Sequence, residues 1–184
     1  MEATLNRARL QQQTRLRYDP NSILLHWLTA ALVVSLWVSE QIVDVFPKSV
    51  QGGILSLHIT LGITLALMLV VRVIWRATKG RSLPGAKSGL MEFVARAMHI
   101  LLYIGVGVAV AFGIALEWIR GDWVWGLVHV PSITPGNIDL RHTVKGYHAL
   151  AANFILIVAG LHATAALFHH YVLRDGVLRR MLPR

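Results

Sequence analysis

The amino-acid sequence predicts an all-α membrane protein, folded as an antiparallel bundle of four transmembrane helices. Apolar residues make up 55% of the 184-residue chain and charged residues 15%, whereas soluble domains carry about 25% charged residues. Four stretches contain no Asp, Glu, Lys or Arg: 20–39, 49–71, 97–116 and 146–173. Because a helix rises about 1.5 Å per residue and the hydrocarbon core is about 30 Å thick, each stretch is long enough to span a bilayer.

The elements are predicted in order along the chain. Residues 1–19 form a cytoplasmic N-terminal segment, 20–173 the membrane domain and 174–184 a cytoplasmic tail. The first span is interpreted as a retained anchor, because its apolar run is longer than that of a secretory signal. The spans cover about Ile23–Val43, Leu55–Trp75, Phe93–Trp118 and Gly146–Val172.

The connections differ in length. The first, with Pro47 and two glycines, and the second, residues 79–87 with glycine and proline turn signals, are short, which favours antiparallel neighbours. The third, residues 119–145, is the longest and is predicted to form a short interfacial helix and an irregular lid.

The basic residues predict the orientation of the chain in its membrane. Of the 18 Lys and Arg residues, 14 lie before the first charge-free stretch, between the second and third, and after the fourth; the other four lie between the first and second and between the third and fourth. Since cytoplasmic loops are enriched in Lys and Arg, both termini are predicted to be cytoplasmic. The net charge of +9 is explained by this topology, and nucleic-acid binding is not expected.

Nine histidines in so apolar a chain indicate a function, because ionisable residues inside transmembrane segments are rare and face the bundle interior. His148 and His162 lie 14 residues apart on one span. That spacing is close to four helical turns, so both face the same side, about 21 Å apart along the axis. They are too far apart to share one metal ion, but their spacing suits two flat cofactors stacked through the membrane.

A second axial ligand for each cofactor is expected from another helix at matching depth. This topology pairs His58 with His148 on the periplasmic side and His26 with His162 on the cytoplasmic side. The sequence has no cysteine, which excludes covalent c-type haem and thiolate-bound clusters. Two imidazoles on each iron would leave no open site for a gas, so such haems would pass electrons.

Other interpretations are weaker. His169 lies on the same face as His162, but pairing it with His148 would separate the haems by about the full bilayer thickness. His99 and His170 are expected to be structural or proton-handling, and His129 and His142 to belong to the outer lid. Zinc is disfavoured by the ligand spacing. A proton-driven carrier is disfavoured because we expect no carboxylate inside spans two to four.

The residues resemble the bacterial cytochrome b-561 family from about Tyr18 to the C-terminus. The resemblance rests on several short motifs considered together. They are Ser22-Ile23-Leu24-Leu25-His26-Trp27-Leu28, Leu57-His58-Ile59-Thr60-Leu61-Gly62, Arg72-x-x-x-Arg76, His99 with Tyr103, Tyr147-His148, Gly160-Leu161-His162-Ala163 and His169-His170-Tyr171. The resemblance implies two non-covalent haem b groups ligated by His26, His58, His148 and His162.

The resemblance also implies an activity, the oxidation of periplasmic superoxide with reduction of ubiquinone in the membrane. The alternative is the haem subunit of a membrane-bound hydrogenase or dehydrogenase, and a third is a haem-free histidine protein that handles metal or protons. An anionic substrate would be attracted by Lys145, Arg141 and Arg120, with Lys145 favoured because it lies near His148. Arg72 and Arg76, at the membrane boundary, are expected either to pair with haem propionates or to extend their charges toward the membrane surface. On the cytoplasmic side, Lys79, Arg81 and Lys87 are candidates for binding quinone or propionates.

Overall fold

The computed structural model describes residues 17–80, 83 and 89–183. These residues contain four long helices, each long and apolar enough to cross a membrane, and the predicted fold class is confirmed. All four helices extend past the predicted spans at one or both ends, because polar residues at the ends continue the helical backbone. The helices are α1 (Pro20–Ile42), α2 (Lys48–Thr78), α3 (Leu90–Arg120) and α4 (Ile138–Phe168).

Side-chain and glycine caps define where three of these helices begin or end. The Asp19 carboxylate accepts hydrogen bonds from the Ser22 amide (2.9 Å) and hydroxyl (2.7 Å), and this stabilises the start of α1. The Asn137 side chain accepts from the Leu140 amide in the same way at the start of α4. The helix α3 ends at Gly121, whose positive φ of 68° suits a residue without a Cβ.

Few side chains are buried inside the bundle, and its outer surface is apolar. A buried cluster joins α2, α3 and α4 through Leu65, Val106, Ala109 and Ile155, with partly buried residues of α1 packed against it. Most large apolar side chains of the helices, Leu67 and Ile157 among them, are exposed on the outer surface. In water such a surface would be unfavourable, whereas hydrocarbon chains cover it at no cost.

The bundle has two ends that differ in the chain segments they carry. The hairpin end carries the connections between α1 and α2 and between α3 and α4, and the terminal end carries the first and last described residues.

The prediction of a short interfacial helix in the third connection, at the hairpin end, is wrong. The structure has a two-stranded antiparallel hairpin instead, with β1 (Trp123–Val124) paired to β2 (Val128–His129). Its turn needs positive φ at Trp125 (55°) and Gly126 (68°), which a helix does not allow.

Two hydrogen bonds attach the hairpin to α2. The Trp125 amide donates to the Ser56 hydroxyl (3.0 Å), and the Trp125 indole N–H donates to the Thr60 hydroxyl (2.9 Å). Ser56 is buried and lies two residues before His58. The longest connection therefore folds over the part of α2 that carries one of the candidate ligands.

At the terminal end the C-terminal residues fold back onto the start of α1. A single π-helical turn, His169–Leu173, follows α4, and the chain reverses at Arg174 with φ of 52°. The Trp27 indole then donates to the Met181 carbonyl (2.8 Å), and the Tyr18 amide donates to the Arg180 carbonyl (3.2 Å). Most of the predicted N-terminal segment, residues 1–16, lies outside the described residues.

Candidate haem-binding site

Two pairs of histidines face each other inside the bundle, one at each end. The imidazole centroids of His58 and His148 are 6.1 Å apart at the hairpin end, with their planes 78° apart. Those of His26 and His162 are 6.2 Å apart at the terminal end, with their planes 71° apart. All four side chains are half-buried. These are the two pairs that the sequence predicted from depth and helix face.

The spacing of both pairs fits a shared iron. A metal–imidazole bond is about 2 Å long and the ring nitrogen lies about 1 Å from the ring centre, so two axial imidazoles place their centroids about 6 Å apart. Both ring planes contain the bond axis and are free to differ by any angle about it. Among the described residues, no three His, Asp or Glu side chains are grouped to bind a metal ion without such a cofactor.

The hydrogen bonds of the hairpin-end pair involve Nδ1 of each ring and leave Nε2 available for a ligand. The His148 Nδ1 lies 3.0 Å from the Ala109 carbonyl oxygen, which only accepts, so Nδ1 carries the hydrogen and Nε2 keeps its lone pair. The His58 Nδ1 lies 2.8 Å from the Ser39 hydroxyl. Such partners on the far nitrogen orient metal-binding histidines in general.

His58 and His148 both line a cavity of about 460 Å³ at the hairpin end. Its volume lies in the range of about 300–1,000 Å³ that is usual for cofactor and ligand pockets. Gly113 lines the same cavity, and a Cβ at that position would lie only 3.2 Å from Cε1 of His148. A larger residue at position 113 would therefore press on the imidazole, which explains the glycine.

A second, polar cavity of about 260 Å³ adjoins the first and opens at the hairpin end. His58 and all three predicted outer cations line it, so the structure brings Arg120, Arg141 and Lys145 together. Arg120 pairs with Asp122 (2.6 Å) and Lys145 pairs with Glu40 (3.3 Å). Arg141 forms no ion pair with any residue in the described part of the chain. Its charge is the least offset of the three.

A positively charged side chain, that of Arg72, lies next to the terminal-end pair. An Arg72 guanidinium nitrogen lies 3.1 Å from Nδ1 of His26, and the guanidinium also lies 5.3 Å from the centre of the Tyr103 ring. Arg76, one turn later, lies over Tyr18. His99 approaches His162 with a centroid distance of 5.3 Å, but its side chain is exposed and its Nδ1 lies 2.7 Å from the Ala95 carbonyl.

The remaining predicted residues lie away from both pairs or cannot be placed. His169 contacts the Asp175 carboxylate (2.5 Å), His170 packs on Tyr171 and His129 packs on Trp123. His142 and Lys79 are exposed. The other two candidate quinone-side cations, Arg81 and Lys87, lie outside the described residues.

Sequence reasoning missed one carboxylate. The expectation that spans two to four contain none is wrong, because Glu117 lies in α3 and lines the 460 Å³ cavity. One of its carboxylate oxygens is buried without a hydrogen-bond partner among the described residues. The signal was available, since Glu117 follows the charge-free stretch 97–116 directly and lies inside the predicted span Phe93–Trp118.

Comparison with known proteins shows the family of this chain. The sequence profile of the family described as prokaryotic cytochrome b561 matches residues 17–184. The chain belongs to this family. Membership makes it a membrane cytochrome that transfers electrons, and implies haem b as its cofactor. The resemblance drawn from the histidine motifs is thereby confirmed.

Several relatives match this cytochrome over nearly all of their length. A probable superoxide oxidase CybB of Yersinia pestis is 34% identical over 172 residues, 91% of this chain and 97% of the relative. Cytochrome b561 homolog 1 of Escherichia coli K12 is 32% identical over 91% of this chain and 98% of its own. A cytochrome b562 of Cereibacter sphaeroides is 30% identical over 90% and 94%.

Proposed function

We propose that this cytochrome oxidises superoxide at the hairpin end and passes the electrons to ubiquinone in the bilayer. His58 and His148 would hold one haem b and His26 and His162 a second. The hairpin end would face the periplasm and both termini the cytoplasm of a bacterial inner membrane, which agrees with the positive-inside distribution of Lys and Arg. Bound haem supplies the one-electron chemistry that amino-acid side chains lack.

The reaction balances without any further oxidant. Each superoxide anion gives up one electron and becomes dioxygen. Two such electrons and two protons from the medium reduce one ubiquinone to ubiquinol. The two quinone carbonyls become hydroxyls and no group is transferred, so the protein needs no nucleophile. Its residues contribute attraction of the anion, orientation of the ligands and exclusion of water.

The observation that carries this proposal is the polar cavity beside His58, which is lined by three cations and by two carboxylates, Glu40 and Asp44. A cavity walled by low-dielectric protein concentrates its field and draws anions toward it. We place Arg141 first among the three, because Glu40 and Asp122 offset the charges of Lys145 and Arg120. The name of the Yersinia relative supports the choice of superoxide as the anion.

The deciding assay mixes the purified, oxidised cytochrome with a steady enzymatic source of superoxide and a soluble ubiquinone. We expect the haem absorbance to show reduction, followed by ubiquinol formation, and both to stop when superoxide dismutase is added. Quinone reduction no faster than with haem-free protein would contradict the proposal. Stoichiometric co-purification of a dehydrogenase or hydrogenase, together with no response to superoxide, would instead assign the chain as its haem subunit.

Replacing Arg141 with glutamate tests the attraction of the anion. We expect the second-order rate of haem reduction by superoxide to fall about tenfold at low ionic strength, because steering by a charged cavity changes association rates by 10-fold or more. The difference from the unmodified protein should shrink at high salt, where charges are screened beyond about 3 Å at 1 M.

The matched control is Lys48→Glu, which changes the net charge equally at the same end of the bundle. Lys48 is exposed at the start of α2 and lines neither described cavity. Its variant should leave the rate within about twofold of the unmodified protein. Equal losses in the two variants would mean that overall charge, not Arg141, attracts superoxide.

A further inference from the structure

The partners of the candidate ligands differ between the two ends of the bundle. Ser39 is buried, with 7% of its surface exposed, and its hydroxyl donates to the Leu36 carbonyl at 2.7 Å. A hydroxyl has one hydrogen, so toward His58 the Ser39 oxygen acts as the acceptor. His58 Nδ1 must therefore carry a hydrogen and donate it over 2.8 Å. This chain of two hydrogen bonds leaves Nε2 of His58 as the ligating atom.

His148 has the same arrangement with a backbone partner. Its Nδ1 donates to the Ala109 carbonyl on α3 at 3.0 Å. Both imidazoles at the hairpin end thus donate to neutral oxygen atoms. A hydrogen bond from Nδ1 to an acceptor makes the imidazole more basic and a stronger donor to a bound metal. A stronger donor stabilises the ferric state over the ferrous state, which lowers the reduction potential.

The terminal end has a cation in the corresponding place. Arg72 lies 3.1 Å from Nδ1 of His26, and a guanidinium has donors but no acceptor. When Nε2 of His26 binds iron, Nδ1 carries a hydrogen. Arg72 would then turn from Nδ1 toward an anionic propionate, and its positive charge would stay next to the haem. A nearby positive charge favours the added electron and raises the reduction potential.

Charges around the hairpin-end cavities do not reverse this difference. The cations Arg120, Arg141 and Lys145 line the cavities together with the carboxylates of Glu40, Asp44 and Glu117. With Asp122, which pairs with Arg120, the four carboxylates outnumber the three cations. Arg72 has no ion pair with any described residue, and Tyr103 is its neutral neighbour. The net effect is a more positive environment at the terminal end.

We propose that Ser39 and Arg72 make the hairpin-end haem the lower-potential one, so that electrons move from the hairpin end to the terminal end. In this scheme Ser39 is a positioning residue that acts through His58, whereas Arg72 acts through its positive charge next to the haem. The inference rests on the ligand pairs of the proposed function. It adds to the pairing the two residues that set the difference in reduction potential between the haems.

The test is a spectroelectrochemical titration of the purified haem protein, which needs neither superoxide nor quinone. The potentials are assigned with two single-haem variants, H26L/H162L and H58L/H148L, each of which keeps one end. We expect the haem that remains in H26L/H162L to have the lower potential. Adding Ser39→Ala to this variant should raise the reduction potential of its haem. The expected change is about tenfold in the ferric-to-ferrous ratio at a fixed applied potential, which equals about 59 mV for one electron. Arg72→Gln should lower the potential of the haem that remains in H58L/H148L.

Three further variants distinguish a specific effect on the haem reduction potential from a general disturbance of the structure. Ser39→Thr keeps the hydroxyl and should give the hairpin-end haem the reduction potential that it has with serine. Arg72→Lys keeps the positive charge, so the terminal-end haem should keep most of its higher potential. Ser35→Ala removes a hydroxyl one turn earlier on α1, where the side chain is exposed, and should change nothing. A higher potential at the hairpin end, or no shift in Ser39→Ala, would overturn the inference. Failure of the single-haem variants to keep one haem each would instead contradict the proposed ligand pairs.

Discussion

Replacing His148 with leucine is expected to remove one of two haems and to abolish superoxide-dependent quinone reduction. His148 faces His58 across 6.1 Å, and its ring is held by the Ala109 carbonyl. Leucine fills a similar volume but offers no lone pair, so one axial position of the iron would be lost. Changes in the partners of metal ligands alone cost about 10–100-fold in affinity or activity, and loss of the ligand itself should cost more.

The measurement is the ratio of haem to protein, with the rate of ubiquinol formation as the functional readout. The ratio should fall from about two to about one, and His58→Leu should give the same result because both residues serve one site. The control is His142→Leu, which removes an exposed imidazole six residues earlier on the same helix. A His148→Leu protein that retains both haems would show that this histidine is not a ligand.

Replacing His162 with leucine is expected to remove the haem at the terminal end. Here the structure offers two neighbouring imidazoles, since His162 lies 6.2 Å from His26 and 5.3 Å from His99. We favour His26, because its side chain is half-buried on α1 while that of His99 is exposed. Quinone reduction should fall more than about 100-fold, while the remaining haem should still be reduced by superoxide.

Three variants decide between the two partners. His26→Leu should reproduce the loss of one haem seen in His162→Leu, and His99→Leu should retain both haems. Reduction of the remaining haem by superoxide, followed in a stopped-flow spectrometer, shows that the hairpin end is intact. If His99→Leu loses a haem and His26→Leu does not, the terminal-end pairing is wrong and His99 is the ligand.

The sequence alone predicts the number of transmembrane helices and the helix face on which His148 and His162 lie. A span needs about 20 apolar residues whatever its neighbours are, so the four charge-free stretches were sufficient to predict α1 to α4. The common face of His148 and His162 follows from helical periodicity, which is likewise local. Matching depths then predicted that His58 and His26 would face them, and the structure brings each pair together.

Contacts between distant parts of the chain were decided only in the tertiary structure. Ser39 reaches His58 over 19 positions, Ala109 reaches His148 over 39 and Arg72 reaches His26 over 46. None of these contacts follows from a periodicity, because each depends on how far two helices slide and rotate against one another. The hairpin is a similar case, since Trp125 bonds Ser56 across 69 positions.

The same distinction applies to charge. The sequence placed Arg120, Arg141 and Lys145 in the third connection, and favoured Lys145 for its nearness to His148. Only the folded chain pairs Lys145 with Glu40 and Arg120 with Asp122, and so leaves Arg141 as the least offset cation. Side-chain length and backbone direction decide such pairings. Composition and helical period therefore determine which groups this membrane protein has and how deep they lie, whereas helix packing determines what each group touches.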